Sequence, residues 1–482
     1  YTMKTIINYT IDTGIFVKFG DLDRDLRMKL CKFYYFVEKK SFSEKPATIN
    51  LVSLVDFEGE KCLKLPCNES YFRDCIMKIG LEVGEVRDLR VLPKIEGLTT
   101  IISLRENQVD MLQKLEKVGY NAIIAEATSF GKSLTAIKLC EMLQTTVLFI
   151  ASRNVLLENI RKDALNFGVK PEQITDINTS WLSEPNVTPI LIASIQALNN
   201  PEILAKLKDR VGIIIFDECH LAASSSVSRE ILYSINSKYN LYLSATYKNL
   251  TFENLELAVL SNNIIKGNET LDYNIHLHEL IVKPTGLIYD RFYQTKNYSD
   301  KKNAVFLDKS YIEAVTELVA YTILKANRGC LIYLDNTKSQ ELFASALREY
   351  GLKVGVLNQN TSKKENKYIL DNYDNGEIDV IVGGVSLAAG ISLYRLSTTF
   401  DLSLRLNENA LLQLIGRSKR QNIEICNKSK LYIKISTLKM SEYSWKVDKK
   451  ILEGISYIKL EQPRYCELVG LEMIKSLKDI LI

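Results

Sequence analysis

Short apolar runs alternate with longer amphipathic stretches along the middle of the chain. Between about residues 120 and 246, five apolar runs have the length and β-branched content of strands, and two stretches between them carry apolar residues at helical spacing. The predicted strands are 122–127, 146–151, 189–195, 211–218 and 241–246, and the predicted helices are 132–144 and 154–167. Buried strands separated by helices form βαβ units, so this region predicts a parallel sheet. The same alternation at 329–404 predicts a second domain of this kind.

The flanking regions have different patterns. Residues 3–95 contain strand-like pieces and predict a small α+β domain, whereas 247–310 is polar and predicts a connecting region with one strand at 274–282. The last part of the chain predicts a strand at 431–436 and a terminal helix. We therefore predict an α/β protein with an N-terminal α+β accessory domain (1–95), two tandem parallel-sheet domains (96–265 and 266–460) and a C-terminal helical tail (461–482).

The amino-acid composition excludes few classes of function. The 482 residues are 46% hydrophobic, which is enough for a core in each domain, and 62 basic against 58 acidic side chains leave a net charge of +4. A nucleic-acid partner is therefore permitted but not required. We expect no membrane segment because no apolar run reaches about 18 residues. We expect a cytoplasmic location because the N-terminus lacks the pattern of a signal peptide.

Cysteines and histidines do not predict a metal centre. The nine cysteines lie at irregular intervals with no CxxC pair, so we expect reduced thiols rather than a zinc ribbon or disulfides. The three histidines leave little material for a zinc site. Two of them, His276 and His278, alternate along a predicted strand, and we expect them on its outward face.

A candidate phosphate-binding turn lies between the first predicted strand and helix. The segment EATSFGKSLTA ends its turn in Gly131, Lys132 and Ser133. At such a turn, backbone N–H groups and the positive end of a helix face a phosphate, the lysine reaches β and γ oxygens, and the serine hydroxyl binds Mg²⁺. The segment departs from the strict motif because Glu126 stands at its first glycine position. Taken alone, a GKS tripeptide is also typical of a surface loop.

Two carboxylates, a thiol and a histidine follow the apolar strand that ends near residue 217. Asp217 suits a Mg²⁺ shell, and Glu218 could orient or deprotonate an attacking water. Cys219 and His220 are too few and too contiguous for a zinc cage. An ordinary strand end with solvated carboxylates is the alternative, which the GKS turn upstream disfavours.

Six motifs in order resemble those of helicase superfamily 2. They are Gln108, Gly131 to Ser133, Asp217 to His220, Ser244 to Thr246, the run GGVSLAAGISL that starts at Gly383, and QLIGRSKR at 413–420. The resemblance spans about residues 100 to 420 and implies that both parallel-sheet domains are RecA-like. Within the superfamily the chain looks most like the phage branch-migration helicases, which also have a small N-terminal domain and a phosphate loop without the first glycine.

The resemblance implies ATP and Mg²⁺ as cofactors and gives a role to each matching residue. Nucleotide binding is implied for Arg105, Gln108, Thr128, Ser129, Phe130, Gly131, Lys132, Ser133, Leu134, Asp217, Gly390 and Gln413. Catalysis is implied for Lys132, Glu218, Arg417 and Arg420, and metal binding for Ser133 and Asp217. Coupling to the second domain is implied for His220, Ser244, Ala245 and Thr246. Contact with the DNA backbone is implied for Ser152, Arg153, Asn154, Ser194, Gln196, Asn336, Thr337, Gly383 and Gly384.

The chemistry of these residues suits the implied roles. A glutamine amide offers the donor and acceptor that adenine needs, and two arginines one turn apart can meet one γ-phosphate. Small polar residues at strand ends can meet phosphates without reading sequence. Taken singly, each of these residues is equally typical of a helix cap, a loop or a solvated surface. Ser392 stands where many relatives carry aspartate, which weakens the implied ribose contact there.

We therefore expect an ATP-dependent DNA helicase or translocase that unwinds or branch-migrates forked and junction DNA in replication, recombination or repair. The expected partners are forked, branched or single-strand/duplex junction DNA and replication or recombination proteins, with no membrane and a monomeric chain. The alternatives are an RNA helicase, a restriction-type motor, and a nucleotide-gated DNA clamp that does not move processively.

Overall fold

The computed structural model describes residues 5–38, 46–125, 131–152, 154–244, 252–266, 275–283, 303–384, 393–403, 415, 425–437 and 458–482. At Lys132, Asn154 and His220, among other positions, it describes the backbone only. The chain divides into two units, Tyr1–Asn268 and Glu269–Ile482. No helix in the described ranges is long and apolar enough to cross a bilayer.

The N-terminal region forms a mixed sheet with two helices. Its elements in chain order are β1 (Ile6–Ile11), β2 (Ile15–Lys18), α1 (Arg24–Lys32), β3 (Tyr35–Val37), β4 (Thr48–Asn50), β5 (Ser53–Phe57), β6 (Glu60–Leu65), α2 (Glu69–Lys78) and β7 (Glu82–Asp88). The sheet order is β5-β6-β2-β1-β7, with β1 and β7 parallel and the other pairs antiparallel, while β3 and β4 form a separate hairpin. Asp23 and Asn68 cap the two helices by accepting backbone N–H groups. The predicted N-terminal region of mixed strands and helices is confirmed.

The first parallel sheet follows. Its strands are β8 (Asn121–Ala125), β9 (Val147–Ala151), β10 (Ile174–Ile177), β11 (Ile190–Ser194), β12 (Ile213–Asp217), β13 (Tyr239–Ser244) and β14 (Ile264–Ile265). Its helices are α3 (Glu106–Lys117), α4 (Lys132–Leu143), α5 (Asn154–Asn166), α6 (Ile195–Leu198), α7 (Pro201–Leu207), α8 (His220–Ser224), α9 (Ser226–Leu232) and α10 (Leu255–Val259). The order is β10-β11-β9-β12-β13-β8-β14, and every pair is parallel. The predicted parallel sheet is confirmed.

This sheet is covered on both faces, which explains its continuous apolar strands. Leu148 and Ile214 enter one hydrophobic cluster, whereas their neighbours Phe149 and Ile215 enter another on the opposite face. Helices α3, α4 and α5 cover the second cluster. The first cluster continues into the N-terminal mixed sheet, so that region and the first parallel sheet share one core. The division at residue 95 stays a prediction.

The second unit contains another parallel sheet. Its strands are β15 (Ile275–Lys283), β16 (Gly329–Tyr333), β17 (Val354–Leu357), β18 (Val380–Gly383), β19 (Leu396–Asp401), β20 (Lys430–Thr437), β21 (Ile458–Leu460) and β22 (Arg464–Glu467). Its helices are α11 (Lys309–Leu324), α12 (Thr337–Glu349), α13 (Lys363–Asp374) and α14 (Gly470–Leu481). The order is β17-β18-β16-β19-β20-β15-β21, with β22 also paired to β15, and all pairs are parallel.

Strand β15 differs from its predicted setting. The predicted strand at 274–282 exists, but it belongs to the second sheet, between β20 and β21, rather than to a connecting region. His278 is only 3% exposed, so its expected outward position is wrong. The reason is that α14 packs over the face of β15 that carries His278, where Leu280 and Val282 share a hydrophobic cluster with Met473 and Leu477.

The last residues of the chain are integral to the second unit. They form β22 and α14, and α14 packs against α11, where a Cβ at Gly470 would overlap the carboxylate of Glu317. Arg328 donates from Nε to the carbonyl of Leu481 at 2.8 Å. The predicted terminal helix is present, and the boundaries proposed at 460 and 265 stay predictions.

Candidate nucleotide and nucleic-acid binding site

The carboxyl ends of three neighbouring strands gather the candidate ATP-site residues of the first unit. Ser244 at the end of β13 lies in register with Ala125 of β8, and Leu243 lies in register with Asp217 of β12. The end of β8 and Asp217 at the end of β12 are therefore two strand positions apart, a spacing of about 10 Å across a sheet. Ligands of open α/β sheets bind at this edge.

A glycine with a left-handed backbone directly precedes helix α4. Gly131 has φ 84° and precedes the helix without a side-chain cap, while its carbonyl accepts from the Thr135 N–H at 3.0 Å. A helix start without a capping side chain presents its first N–H groups to an anion, and the helix dipole favours negative charge there. Ser133 and Leu134 are half-buried in the first turn. Thr128, Ser129 and Phe130 lie outside the described residues.

The start of α3 lies directly against this turn. Gln108 is 3% exposed, and its Oε1 accepts from the backbone N–H of Arg105 at 3.0 Å. A Cβ placed on Gly131 would lie 2.7 Å from Nε2 of Gln108 and 3.7 Å from Nη2 of Arg105. The structure thus brings together residues from two separate motifs of the sequence.

Asp217 and Glu218 form a strained turn at the end of β12. Asp217 is half-buried, and its Oδ1 accepts from the Glu218 N–H at 3.0 Å. Glu218 has φ 53°, a left-handed conformation that costs a non-glycine residue about 1–3 kcal/mol. Such strain is concentrated at functional sites, where the surrounding structure enforces a particular side-chain position.

The side chain of Cys219 points into the hydrophobic core and does not face the carboxylates as a metal ligand would. Its side chain is fully buried in the first hydrophobic cluster, and its N–H donates to the carbonyl of Leu243 at 3.0 Å. His220 begins α8, and Ser244 is buried at the end of β13. Ala245 and Thr246, the other residues with an implied coupling role, lie outside the described residues.

The candidate DNA contacts of the first unit lie at the same sheet edge, on the other side of β12. Ser152 follows β9, and Asn154 begins α5. Ser194 ends β11 and caps α6, where its Oγ accepts from the Ala197 N–H at 3.1 Å, and Gln196 is exposed on that helix. Arg153 lies outside the described residues.

The candidate contacts of the second unit lie at the carboxyl ends of β16 and β18. Asn336 caps α12 by accepting from the Ser339 N–H at 3.1 Å, and Thr337 is the first residue of that helix. Gly383 ends β18, and a Cβ on Gly384 would lie 2.9 Å from the carbonyl oxygen of Leu334. Close backbone packing therefore explains the second glycine without a ligand. Gly390, Gln413, Arg417 and Arg420 lie outside the described residues.

Two polar residues of the second unit were missed by the sequence reasoning. Asn303 accepts from Nδ2 of Asn336 at 2.7 Å, and nothing in its sequence context signals this contact. Asp401 ends β19 as a 4% exposed carboxylate and accepts from the Tyr432 hydroxyl at 2.6 Å. An acid directly after an apolar strand, as at Asp217, is the signal that could have identified Asp401.

Two family models match the chain. Residues 101–249 match "Type III restriction enzyme, res subunit", and residues 310–422 match "Helicase conserved C-terminal domain". Together they cover more than half of the 482 residues.

Curated relatives match a shorter part of the chain. One is 161L of Invertebrate iridescent virus 6, assigned as a helicase, which is 29% identical over 34% of this chain and 34% of its own length. Another is UvrABC system protein B of Kosmotoga olearia, 25% identical over 44% of this chain and 32% of its own length. The matched segments thus span about a third of the length of these relatives.

Solved structures share the fold. S. cerevisiae Dbp5 bound to RNA and ADP BeF3 covers 78% of this chain and 93% of its own, with 14% identity and a TM-score of 0.53. A fragment assigned as the HsdR subunit of a type I restriction enzyme from Vibrio vulnificus covers 76% of this chain and 68% of its own, with 15% identity and a TM-score of 0.55. T4 UvsW covers 96% of this chain and 100% of its own, but its TM-score of 0.41 at 13% identity supports no closer relation.

The matched domains, the tandem parallel sheets and the motifs at the carboxyl edge of the first sheet agree with one another. The chain belongs to superfamily 2 of the helicases, a family of ATP-hydrolysing enzymes with two RecA-like domains.

Proposed function

We propose that this chain is an ATP-driven DNA translocase that remodels forked or branched DNA. The observation that carries the proposal is the meeting of Gln108, Gly131 and the Asp217–Glu218 turn at one edge of the first sheet. This edge combines an anion-binding helix start with carboxylates two strands away, which is the arrangement that nucleoside triphosphate hydrolysis requires.

The residues of the first unit fit ATP and Mg²⁺. The helix start at Gly131 has no side-chain cap, so its amides and Lys132 would hold the β- and γ-phosphates. Ser133 and Asp217 offer the oxygen ligands that Mg²⁺ prefers, and Gln108 with Arg105 would bind the adenine end. Mg²⁺ held by these ligands would supply positive charge against the charge that develops on the phosphates. Glu218 would hold the attacking water and accept its proton.

The second unit would complete the site in the proposed mechanism. Arg417 and Arg420 would meet the γ-phosphate, while Gly390 and Gln413 would contact the remainder of the nucleotide. Closure of the two domains around ATP and their separation after hydrolysis would turn the chemical step into movement, with His220, Ser244, Ala245 and Thr246 relaying the change. Alternating grip on the DNA backbone by the two domains would then give translocation.

The DNA contacts proposed for this movement use small polar side chains, helix starts and glycines. Such groups bind sugar and phosphate without reading sequence, which suits a motor that moves along any DNA. The match to the res subunit of type III restriction enzymes supports DNA as the track. We further propose that the chain acts as a monomer in replication, recombination or repair.

Comparison of nucleic-acid substrates tests this proposal. ATP hydrolysis would be measured with single-stranded DNA, forked DNA, blunt duplex DNA and RNA, and strand displacement would be followed on forks with defined arms. We expect the strongest stimulation and displacement with forked DNA, and loss of both in Glu218→Gln.

Each alternative predicts a different result. Stimulation by RNA alone would identify an RNA helicase, and movement along blunt duplex DNA without strand displacement would identify a restriction-type motor. Full remodelling activity in Lys132→Ala would reject an ATP-driven motor and favour a nucleotide-gated clamp or a motor-free mechanism.

A further inference from the structure

Two histidines and a glutamate meet on one face of the second sheet. His276 and His278 are two residues apart on β15, so their side chains emerge on the same face of the sheet. Strand β21 pairs with β15 so that Lys459 lies opposite His276, and the Glu461 N–H donates to the Leu277 carbonyl at 3.0 Å. This register places Glu461 beside His278, on the face that carries both imidazoles.

The three side chains are close enough to share one cation. His276 Nδ1 and Glu461 Oε1 are 3.0 Å apart, and one ligand atom from each of the three residues lies within 4.8 Å of the others. The two imidazole rings have an interplanar angle of 15° and centroids 6.5 Å apart. In tetrahedral Zn²⁺ sites with bonds of about 2.0–2.2 Å, ligand atoms are about 3.4 Å apart, so small side-chain movements would suffice.

His278 supplies a second, independent observation. Its side chain is 3% exposed, and among the described residues its buried Nδ1 has no hydrogen-bond partner. A buried polar atom without a partner costs free energy, and such an atom in a native structure calls for an explanation such as an ion. The hydrogen bond between His276 Nδ1 and Glu461 Oε1 does not involve Nδ1 of His278.

The protonation of His278 also suits a metal ligand. Burial, reinforced by the nearby Arg464, lowers the pKa of His278 to about 4, so the ring is neutral at physiological pH. Neutral imidazole is the form that binds metals. Arg464 itself is paired with Asp479 at 2.6 Å.

Lys459 is the group with which a cation would compete. Its Nζ lies 3.0 Å from Oε1 of Glu461, and the lysine side chain is 60% exposed. An exposed lysine can leave this pair at little cost, because exposed ion pairs contribute little to stability.

We propose that His276, His278 and Glu461 form a binding site for a borderline divalent cation of the Zn²⁺ class. Two imidazoles and one carboxylate suit Zn²⁺ and leave its fourth position to water, whereas Mg²⁺ and Ca²⁺ prefer oxygen ligands throughout. These three residues belong to the second unit, whereas the proposed Mg²⁺ ligands Ser133 and Asp217 belong to the first.

The cation would fasten β21 to β15. Glu461 follows β21, and His276 and His278 lie on β15, so metal binding would join segments that are 185 residues apart in the chain. Zn²⁺ would then act as a structural bond that holds the C-terminal segment on the second sheet.

Metal titration of the whole chain tests the proposal. The protein would be stripped with a chelator and titrated with Zn²⁺ by calorimetry, and with Co²⁺ to detect the visible bands of a four-coordinate site. We expect one Zn²⁺ per chain and a melting temperature raised by on the order of 5–10 °C at a hundredfold excess over Kd. In Glu461→Gln and His276→Gln we expect at least about tenfold weaker binding and loss of the Co²⁺ bands.

Glu467→Gln is the matched control, because it makes the same chemical change on β22 at an exposed carboxylate outside the cluster. We expect it to bind Zn²⁺ like the wild type. The two half-buried test positions would be checked by circular dichroism, so that weaker binding is compared between folded proteins. Unchanged Zn²⁺ affinity in both ligand variants, as cysteine ligation would give, overturns the proposal, and so does a wild-type chain that binds no Zn²⁺.

Discussion

Gly131 and Glu218 both have left-handed backbone conformations, with φ of 84° and 53°, and both lie at the carboxyl edge of the first sheet. The glycine adopts this conformation without steric cost, whereas the glutamate does not. Glu218 therefore carries a backbone strain that Gly131 avoids.

The first prediction concerns Gly131→Ala. The new methyl group would lie 2.7 Å from Nε2 of Gln108, and φ is unfavourable for alanine, so the helix start and the glutamine must separate. We expect ATP affinity to fall at least about tenfold and the free energy of unfolding to fall by about 1–2 kcal/mol. A fluorescent ATP analogue and urea unfolding measure the two effects.

Gly97→Ala is a suitable control for this substitution. Gly97 has φ 89°, but a Cβ there would have no neighbour within 4 Å. The control thus reproduces the backbone strain without crowding Gln108. Equal ATP affinity in the two variants would mean that contact between Gln108 and the turn is unimportant for the nucleotide.

A second prediction concerns Glu218→Gln. The amide keeps the size of the side chain but cannot accept a proton from water, so we expect ATP binding to persist while turnover falls by about 10²–10⁴. Glu230→Gln on the exposed face of α9 serves as the control and should hydrolyse ATP normally. A normal steady-state rate in Glu218→Gln would remove this residue from the proposed mechanism.

Residues that share a motif could be predicted from the sequence, because a turn and its neighbours along the chain are set by local rules. The contact between Gln108 and Gly131 could not be derived from spacing, and only the family resemblance linked the two residues. The cluster of His276, His278 and Glu461 was missed entirely, because pairing of β15 with β21 brings distant segments together.

At the scale of elements, the central strands of both sheets could be predicted because burial on two faces produces uninterrupted apolar runs. The pattern does not predict β10 and β14, which are short strands at the two edges of the first sheet. Strand β15 was predicted in the wrong setting because the polar His278 and Glu279 lie in its buried middle. Tertiary pairing outweighs local polarity there.

The third prediction concerns β7 and its attachment to the first parallel sheet. Asp88 accepts from Arg90 at 2.7 Å and from Lys238 at 2.6 Å, and the side chain of Arg90 is only 7% exposed. Removal of the charge in Asp88→Asn leaves the buried guanidinium of Arg90 with Glu69, 3.6 Å away, as its remaining counter-ion among the described residues. We expect the free energy of unfolding in urea to fall by about 2–3 kcal/mol, compared with little change in the exposed control Asp56→Asn.

This loss should depend on pH. Burial alone would raise the pKa of Asp88, but hydrogen bonds from Arg90 and Lys238 outweigh it and hold the pKa below its ordinary value. A carboxyl whose pKa is lower in the folded state stabilises the protein above its unfolded pKa of about 3.9 and loses that contribution as pH falls further. The difference between wild type and Asp88→Asn should therefore be full above about pH 5 and shrink below about pH 4. A difference that stays constant down to pH 3 would contradict the ionic origin of the effect.

At the scale of the whole molecule, the proposed motor needs a group from the second unit to complete a site in the first. The fourth prediction is that Arg420→Ala binds ATP almost normally but hydrolyses it about 10³–10⁵ times more slowly, because the arginine would act on the transition state. Binding of an ATP analogue and single-turnover hydrolysis separate the two steps.

Lys419→Ala provides the comparison, since it removes a neighbouring positive charge without removing either arginine of the motif. We expect its hydrolysis rate to remain close to that of the wild type. Should Arg420→Ala also hydrolyse ATP normally, the proposed role of this arginine would have to be abandoned.

The shared core of the N-terminal sheet and the first parallel sheet restricts how the protein can work. Phe72 of α2 and Phe216 of β12 belong to one hydrophobic cluster. The N-terminal region therefore does not move independently of the first parallel sheet. The N-terminal region would therefore move as one body with the first RecA-like domain. Deletion of residues 1–95 would not leave a smaller functional motor. It would expose the apolar side chains on one face of the first parallel sheet, and we expect the truncated protein to aggregate.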